Sequence, residues 1–293
     1  MAKRKSLKDA DNDVSMSDRR DDDSGSESDT ELINVEFEWF DPQPEVDFHG
    51  LKTLLRQLFD TDAQLFDISA LADLILSQPL LGSTVKVDGK ETDPYAFLSV
   101  LNISEHKDKQ VIKDLTKYLA QKASSNPSLA ALSRLLSNTD QPPAVGLILT
   151  ERLINIPSEV VPPMYSMLVE EIAWALEEKE PYSFTHYLIL SKTYEEVESK
   201  LDAEESRPQK KKKKTAGSSS DRFYFHPEDE VLEKHTLCHG KFEYTHKQAE
   251  GASDAKRAFQ DFGIQPAGSL MLIEGGKFDD AVKAITDYLK PPV

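Results

Sequence analysis

The sequence predicts a single α/β domain, a central mixed sheet flanked by helices, preceded by an acidic segment and interrupted by a lysine-rich insertion. Three observations lead there. Apolar residues switch repeatedly between a period of two and helical spacing, so strands and helices alternate along the chain. A hydrophobic share of 39% in 293 residues is enough for a sizeable core. Large apolar side chains become scarce only in residues 1–31 and 204–221, and strand-like stretches stand on both sides of the second gap. One domain over residues 32–203 and 222–293 is therefore expected, rather than two.

Residues 1–31 begin with Lys3, Arg4, Lys5 and Lys8, then turn acidic at Asp21–Asp23 and SGSESDTE. So polar a segment cannot bury enough surface to offset its ordering entropy, and disorder is expected. Ser24, Ser26 and Ser28 each have an acidic residue three positions on, which an acidophilic kinase would read; a merely solubilising tail is the other reading. From Leu32 the pattern changes: Ile33, Val35, Phe37 and Trp39 alternate with polar residues, as in a strand with one wet face. A helix follows, introduced by Asp47 or by His49-Gly50, with Leu51, Leu54, Leu55, Leu58 and Phe59 on one stripe. These leucines also resemble an export signal, but a two-layer core needs the same residues. Ile68 to Leu76 is a second helix, Val85 to Asp88 a strand entering a turn at Gly89, and Tyr95 to Ile103 another strand. Lys109 to Ala120 and Ser128 to Leu136 read as helices.

The clearest stretch runs from Gly146 to Leu201. Val145 to Leu149 is short and apolar, bounded by Pro142-Pro143 and by the charged pair Glu151-Arg152, as suits a strand buried on both faces. Pro162-Pro163 fit a helix's first turn, and Tyr165, Leu168, Val169, Ile172 and Leu176 recur at helical spacing up to Pro181. Tyr182 to Leu190 is rich in aromatic and branched residues and reads as a returning strand. In the insertion, Lys210, Lys211, Lys212, Lys213 and Lys214 form an unbroken run suited to an import receptor's acidic groove, with Lys3-Arg4-Lys5 as a second basic signal. A nucleic-acid or anionic-lipid patch, or a loop with no partner, are alternatives. Phe223 to Phe225 resumes order, Leu237 to Thr245 is an exposed strand, Ala252 to Phe262 a helix, Leu270 to Ile273 a short strand and Phe278 to Leu289 a closing amphipathic helix.

Charge limits the partners. A net charge of −17 repels phosphates and attracts cationic proteins, which argues against direct nucleic-acid binding. From Glu205 to Arg222, however, seven positive side chains stand against two negative ones, an isolated basic loop better matched to receptor capture than to coating a duplex. The single cysteine, Cys238, fits a reducing compartment. No run approaches the ~18 apolar residues of a bilayer span, and the start lacks a signal peptide's apolar stretch, so a soluble intracellular protein with no membrane partner is expected.

Motifs for chemistry are sparse. His235, Cys238, His239 and His246 include metal-ligand types, but a single cysteine and adjacent Cys238 and His239, which point to opposite faces of a strand, make a poor zinc site. No nucleophile elbow, Walker loop or dinucleotide-binding glycine pattern joins a strand to a helix. No catalytic, cofactor or metal residue is assigned.

Three strings carry a family resemblance: NVEFEWFDPQPEVDFHGLKTLLRQLF at 34–59, ERLINIPSEVVPPMYSMLVEEIAWALEEKEPYSFTHYLILSKTYEEVESKL at 151–201, and FYFHPEDEVLEK at 223–234. They resemble the BCCIP family of eukaryotic nuclear proteins, including its fungal members, from about Glu31 to near the C-terminus. The resemblance implies a fold like that of the GNAT acetyltransferases without their activity. It also implies a nuclear chaperone and transport factor, able to shuttle to the cytoplasm, for a basic ribosomal protein of the large subunit. In the fungal branch it implies nuclear export of a phosphatidylinositol phosphate kinase. GNAT enzymes hold the coenzyme A pyrophosphate on a glycine-bearing turn that opens a helix. The nearest string here, Gln265 to Leu270, places Pro266 where an N–H is wanted and precedes a strand.

One surface is a candidate for client binding. Trp174 lies off the apolar stripe of its helix, with Glu170, Glu171, Glu177 and Glu178 at helical spacing, and Glu180, Glu195 and Glu196 are assigned to the same face. An indole ringed by carboxylates suits an arginine or lysine. The alternative is that Trp174 packs under a loop and the glutamates are only solvated. The expected function is a non-enzymatic escort for a basic client. The alternatives are a coenzyme A-binding acyltransferase-like enzyme and a scaffold for cell-cycle or DNA-repair proteins.

Overall fold

The strongest helical stripe, that of α1 (Pro44–Phe59), sets the geometry of one side of the molecule. Pro44 opens the helix at its first position, and Leu51, Leu54, Leu55, Leu58 and Phe59 bury one face against the sheet. The computed structural model describes residues 35–78, 81–137, 144–196, 222–246 and 264–290, all but Val35 within the unit Glu36–Val293. Its other helices among the described residues are α2 (Ile68–Leu76), α3 (Gln110–Ser124), α4 (Ala130–Leu136), α5 (Val161–Glu177), α6 (Pro227–Glu233) and α7 (Phe278–Tyr288).

The strands are β1 (Glu38–Phe40), β2 (Ser83–Lys86), β3 (Ala96–Asn102), β4 (Val145–Arg152), β5 (His186–Glu196), β6 (Arg222–Tyr224), β7 (Cys238–Phe242) and β8 (Ile264–Glu274). They form one mixed sheet in the order β1-β2-β3-β4-β5-β8-β7, with β6 also paired to β5. Every pairing is antiparallel except β4 with β5, which the crossover helix α5 joins in parallel. Side-chain alternation sorts the core: Leu147 and Leu149 of β4 face α1 to α4, whereas Ile148 faces α5 to α7. A layer of helices therefore covers each face, and the expectation of a strand buried on both sides is met.

The parallel pair does not stay together. The β4–β5 ladder runs from Val145↔His186 to Leu149↔Leu190 and stops. From Thr193 to Glu195 the same edge of β5 is taken by β6 instead. Thr150, Glu151 and Arg152 thus continue along β3 with no β5 beside them. Glu151-Arg152, expected to bound the strand, are its last two residues and are buried.

Other departures have local causes. β1 is shorter than the alternation from Ile33 predicts; Phe37 and Trp39 still lean on the α5 side of the core, and the Trp39 indole N–H donates to the Val160 carbonyl at 3.2 Å. α1 begins before either expected start, because Asp47 turns back to accept from the Gln43 N–H at 2.8 Å and pairs with Lys86 at 2.6 Å, both side chains fully buried. β5 begins at His186, four residues after the predicted Tyr182, and runs on to Glu196. β8 has eleven residues, not the four predicted. Pro266 lies beyond the end of the β7 ladder, where a missing N–H is tolerated, and Gly268 gives the Phe242 ring room that a Cβ would fill. α6 was not predicted at all. The helix expected over 252–262 lies outside the described residues.

Gly82 marks a tight point. Its φ of +111° is unfavourable for other residues, a Cβ there would sit 2.8 Å from the Leu98 carbonyl, and its N–H donates to Glu171 at 2.8 Å. Gly82→Ala should lower stability by about 1–3 kcal/mol, read from urea unfolding at pH 7.

Candidate functional site

Where β4 and β5 part, the chain places a plug and leaves a cleft. β6 leads through Phe225-His226 into α6, whose Pro227 occupies the first helical position and whose first turn carries Glu228, Asp229 and Glu230, matching the positive end of the helix dipole. The His226 ring enters the gap and is only 5% exposed. Its Nε2 lies 3.1 Å from Glu151, and its Nδ1 lies 2.9 Å from Arg152 Nη1 and 3.5 Å from Glu228. Arg152 meets Glu228 with both terminal nitrogens, at 2.5 and 3.2 Å. Lys192 of β5 reaches Glu151 at 2.5 Å and donates to the Gln57 carbonyl at 3.2 Å, while the Gln57 amide donates to the Arg152 carbonyl at 2.8 Å. Ser191 donates to Asp229. Glu151 therefore ties β4 to both β5 and the plug, and Gln57 ties the assembly to α1.

These contacts set the charge states. Burial pulls the His226 pKa down, but hydrogen bonds to Glu151 and Glu228 and their charges outweigh it and push it up to about 9. When the ring is neutral Arg152 donates to Nδ1; when it is charged, Nδ1–H turns to Glu228. Burial opposes ionisation of Glu228 too, yet His226 and Arg152 bring it down to about 2. Burial and the Glu228 charge raise Asp229 to about 7, against the pull of His226, Ser191 and Arg152.

The cleft above this floor encloses about 670 Å³. Leu153, Ile154, Ile156, Phe225, Ile264 and Pro266 supply its apolar lining, and Thr53, Arg56 and Gln57 of α1 form a polar wall. The floor charges are engaged with one another.

The predicted client face is partly assembled. Trp174 is 58% exposed, with Glu170, Glu177, Glu178 and Glu180 exposed around the C-terminal end of α5 and Lys179 among them. Leu176, assigned to the core stripe, is 43% exposed. Glu171 is not part of this face: it is buried and accepts from Gly82, and its pKa rises to about 7, chiefly through burial, with the Asp41 and Glu170 charges adding. Glu195 lies at the far end of β5 from α5 and pairs with Lys241. The side chain of Glu196, the lysines 210–214 and Ser24, Ser26 and Ser28 lie outside the described residues. Cys238 packs against the α1 side of the core, whereas His239 approaches Glu233 at 3.5 Å; no metal-ligating group of three forms among the described residues.

The sequence reading missed the plug. Its visible signal was a proline followed by three acidic residues, PEDE, a pattern that opens helices.

A mixed α/β domain with a splayed parallel pair, plugged by a charged segment, is the class of protein that this fold and site define. The chain belongs to the BCCIP family, whose model matches residues 32–232. It is 70% identical to protein bcp1 of Aspergillus fumigatus over 293 residues, covering 100% of both chains. It is 49% identical to protein bcp1 of Schizosaccharomyces pombe over 261 residues, covering 88% of this chain and 91% of that one. The crystal structure of BCP1 from Saccharomyces cerevisiae matches with a TM-score of 0.60 at 29% identity, covering 92% of this chain and 93% of that chain.

Removing one partner of a buried ion pair strands the others. Glu151→Ala should cost about 3–5 kcal/mol in urea unfolding at pH 7. The folded pKa of His226 exceeds its unfolded value of 6.5, so its contribution is complete below that pH and is lost as pH rises through about 9. The raised pKa of Asp229 adds a loss between 3.8 and about 7. The urea midpoint should fall from pH 6.5 to 9, and His226→Gln should flatten that part of the profile; an unchanged slope contradicts the assignment.

Proposed function

We propose that this protein is a non-enzymatic nuclear escort that shields a basic ribosomal protein of the large subunit and supports ribosome biogenesis. Supporting roles in the proposal are import through the lysine run 210–214 and nuclear export of cargo, including a phosphatidylinositol phosphate kinase. The observation that carries the reading is the 58%-exposed Trp174 among Glu170, Glu177, Glu178 and Glu180, on a chain of net charge −17. An exposed indole stacks a guanidinium or ammonium while the neighbouring carboxylates pair with it, and the acidic surface speeds encounter with a cationic client. Family membership supports the same reading through the resemblance from which it was first drawn.

The acetyltransferase-like fold is part of the proposal; coenzyme A chemistry is not. The helix that opens after β4 begins Val161-Pro162-Pro163, so two of its first three residues have no N–H to give a pyrophosphate. Gln265 to Leu270 is no turn either, since it lies inside β8 with Gly268 opposite Lys192. The residues present do not fit the cofactor.

Affinity for a basic large-subunit ribosomal protein should fall about tenfold in Trp174→Ala and weaken as salt is raised, by titration calorimetry. The variant's melting temperature should stay near that of the parent, because the side chain is exposed. Unchanged affinity in the folded variant removes this face from the account.

A further inference from the structure

The Trp174 face has a buried neighbour, Glu171, with no part in the reading above. Resting on that reading, we infer that a lysine of the basic client enters beside the indole and pairs with the buried carboxylate of Glu171, so that binding at this face is linked to the release of a proton.

The carboxylate lacks a counter-charge. Glu171 is 7% exposed, and its one hydrogen bond among the described residues comes from the Gly82 N–H at 2.8 Å, a neutral donor. The charges that bear on it are two further carboxylates, Asp41, exposed just beyond β1, and Glu170 on its own helix. β2, which runs on from Gly82, supplies no cation: Val85 faces α5, so Lys86 points to the other side of the sheet, where it pairs with Asp47 of α1. β3 carries no charged side chain, and on α7 Lys283 pairs with Asp280 at 3.5 Å. A buried carboxylate so placed is costly to ionise. Burial first, then the Asp41 and Glu170 charges, hold its pKa up at about 7, so it exchanges its proton near neutral pH.

The position suits a lysine. Glu171 and Glu170 stand three and four positions before Trp174, and residues so spaced are neighbours on a helix, with Cβ atoms about 5–6 Å apart. An arginine stacked on the indole would therefore stand beside the carboxylate. Reaching an acid that shows only its edge to solvent asks for a slim stem ending in a compact charge, which is lysine rather than the planar guanidinium. The ammonium supplies the missing counter-charge, Glu171 ionises, and its proton passes to the buffer. Acetylation of that lysine would remove the charge and leave the proton in place, which gives the client's own modification state control over release.

The test is titration calorimetry of the full-length protein with a histidine-free peptide of arginines and lysines spaced by alanine. Near pH 7, buffers of different ionisation enthalpy make the heat report the protons released. The parent should release protons, and its affinity should rise about tenfold from pH 6 to pH 8, because the contribution of the ionised acid is complete above its pKa of about 7 and lost as pH falls through it. In Glu171→Gln, whose amide oxygen still accepts from Gly82, both the proton release and the pH dependence should vanish while Trp174→Ala still weakens binding. The same peptide acetylated at its lysines should bind more weakly and release no protons. The inference is overturned if the parent releases none, if Glu171→Gln releases as many, or if an arginine-only peptide releases as many as the mixed one. In those cases a loss of affinity in Trp174→Ala leaves the client face standing. A peptide that fails to bind the parent, or binds parent and Trp174→Ala equally, overturns the face and the inference together.

Discussion

The carboxylate of Glu151 is the contact on which this architecture turns. It comes from the part of β4 that has lost β5 as a neighbour, and it holds Lys192 of β5 at 2.5 Å and His226 of the plug at 3.1 Å. Two strands that part inside a sheet expose backbone groups and leave a gap in the core, which a chain must fill with something that satisfies both. Here Glu151 itself accepts from the Arg152 N–H at 3.0 Å, and Gln57 donates to the Arg152 carbonyl. An all-apolar plug would pack the gap but leave the buried Glu151 side chain without His226 and the buried Arg152 side chain without Glu228. The charged one pairs both side chains and fixes where α6 sits, at the desolvation cost that any buried ion cluster carries.

From that point the sheet divides its labour. One edge of β5 belongs first to β4 and then to β6, while its other edge is held along its whole length by β8. The splay therefore does not weaken the sheet's middle. It creates a concave end, lined by the loop after β4 and the start of α6, and leaves the opposite end to the turn from α5 into β5. One end is an apolar cleft over a floor of paired charges; the other presents an indole among carboxylates.

Much of this was legible in the sequence, and the failures are instructive. Helical stripes such as Leu51, Leu54, Leu55 and Leu58, or Leu115 and Leu119, mark their elements because burial repeats with the backbone period. The apolar run of β4 announced its two buried faces in the same way. What periodicity cannot show is a charge that is buried because another charge is waiting for it. Glu151-Arg152 read as the boundary of a strand, PEDE drew no reading of its own, and Glu171 read as part of an acidic surface, since their partners lie 38 to 89 positions away in sequence. Pro266 and Gly268 hid most of β8 for a related reason: whether they break a strand depends on the neighbour, and here one side has no strand and the other has the flat ring of Phe242. Trp174, by contrast, was found by its position off the stripe, and the structure leaves it exposed.

Amide hydrogen exchange, followed residue by residue, tests most directly whether Glu151 holds the plug. With Glu151 intact, the amides of Leu232 and Val231 in α6 and of Thr193 to Glu195 in β5 should exchange nearly as slowly as those at the centre of β4. In Glu151→Gln they should speed up together while the β3–β4 ladder at Val100 and Ile148 keeps its protection. Fast exchange of the plug in the parent protein, or equal loosening of the whole sheet in the variant, would contradict the account.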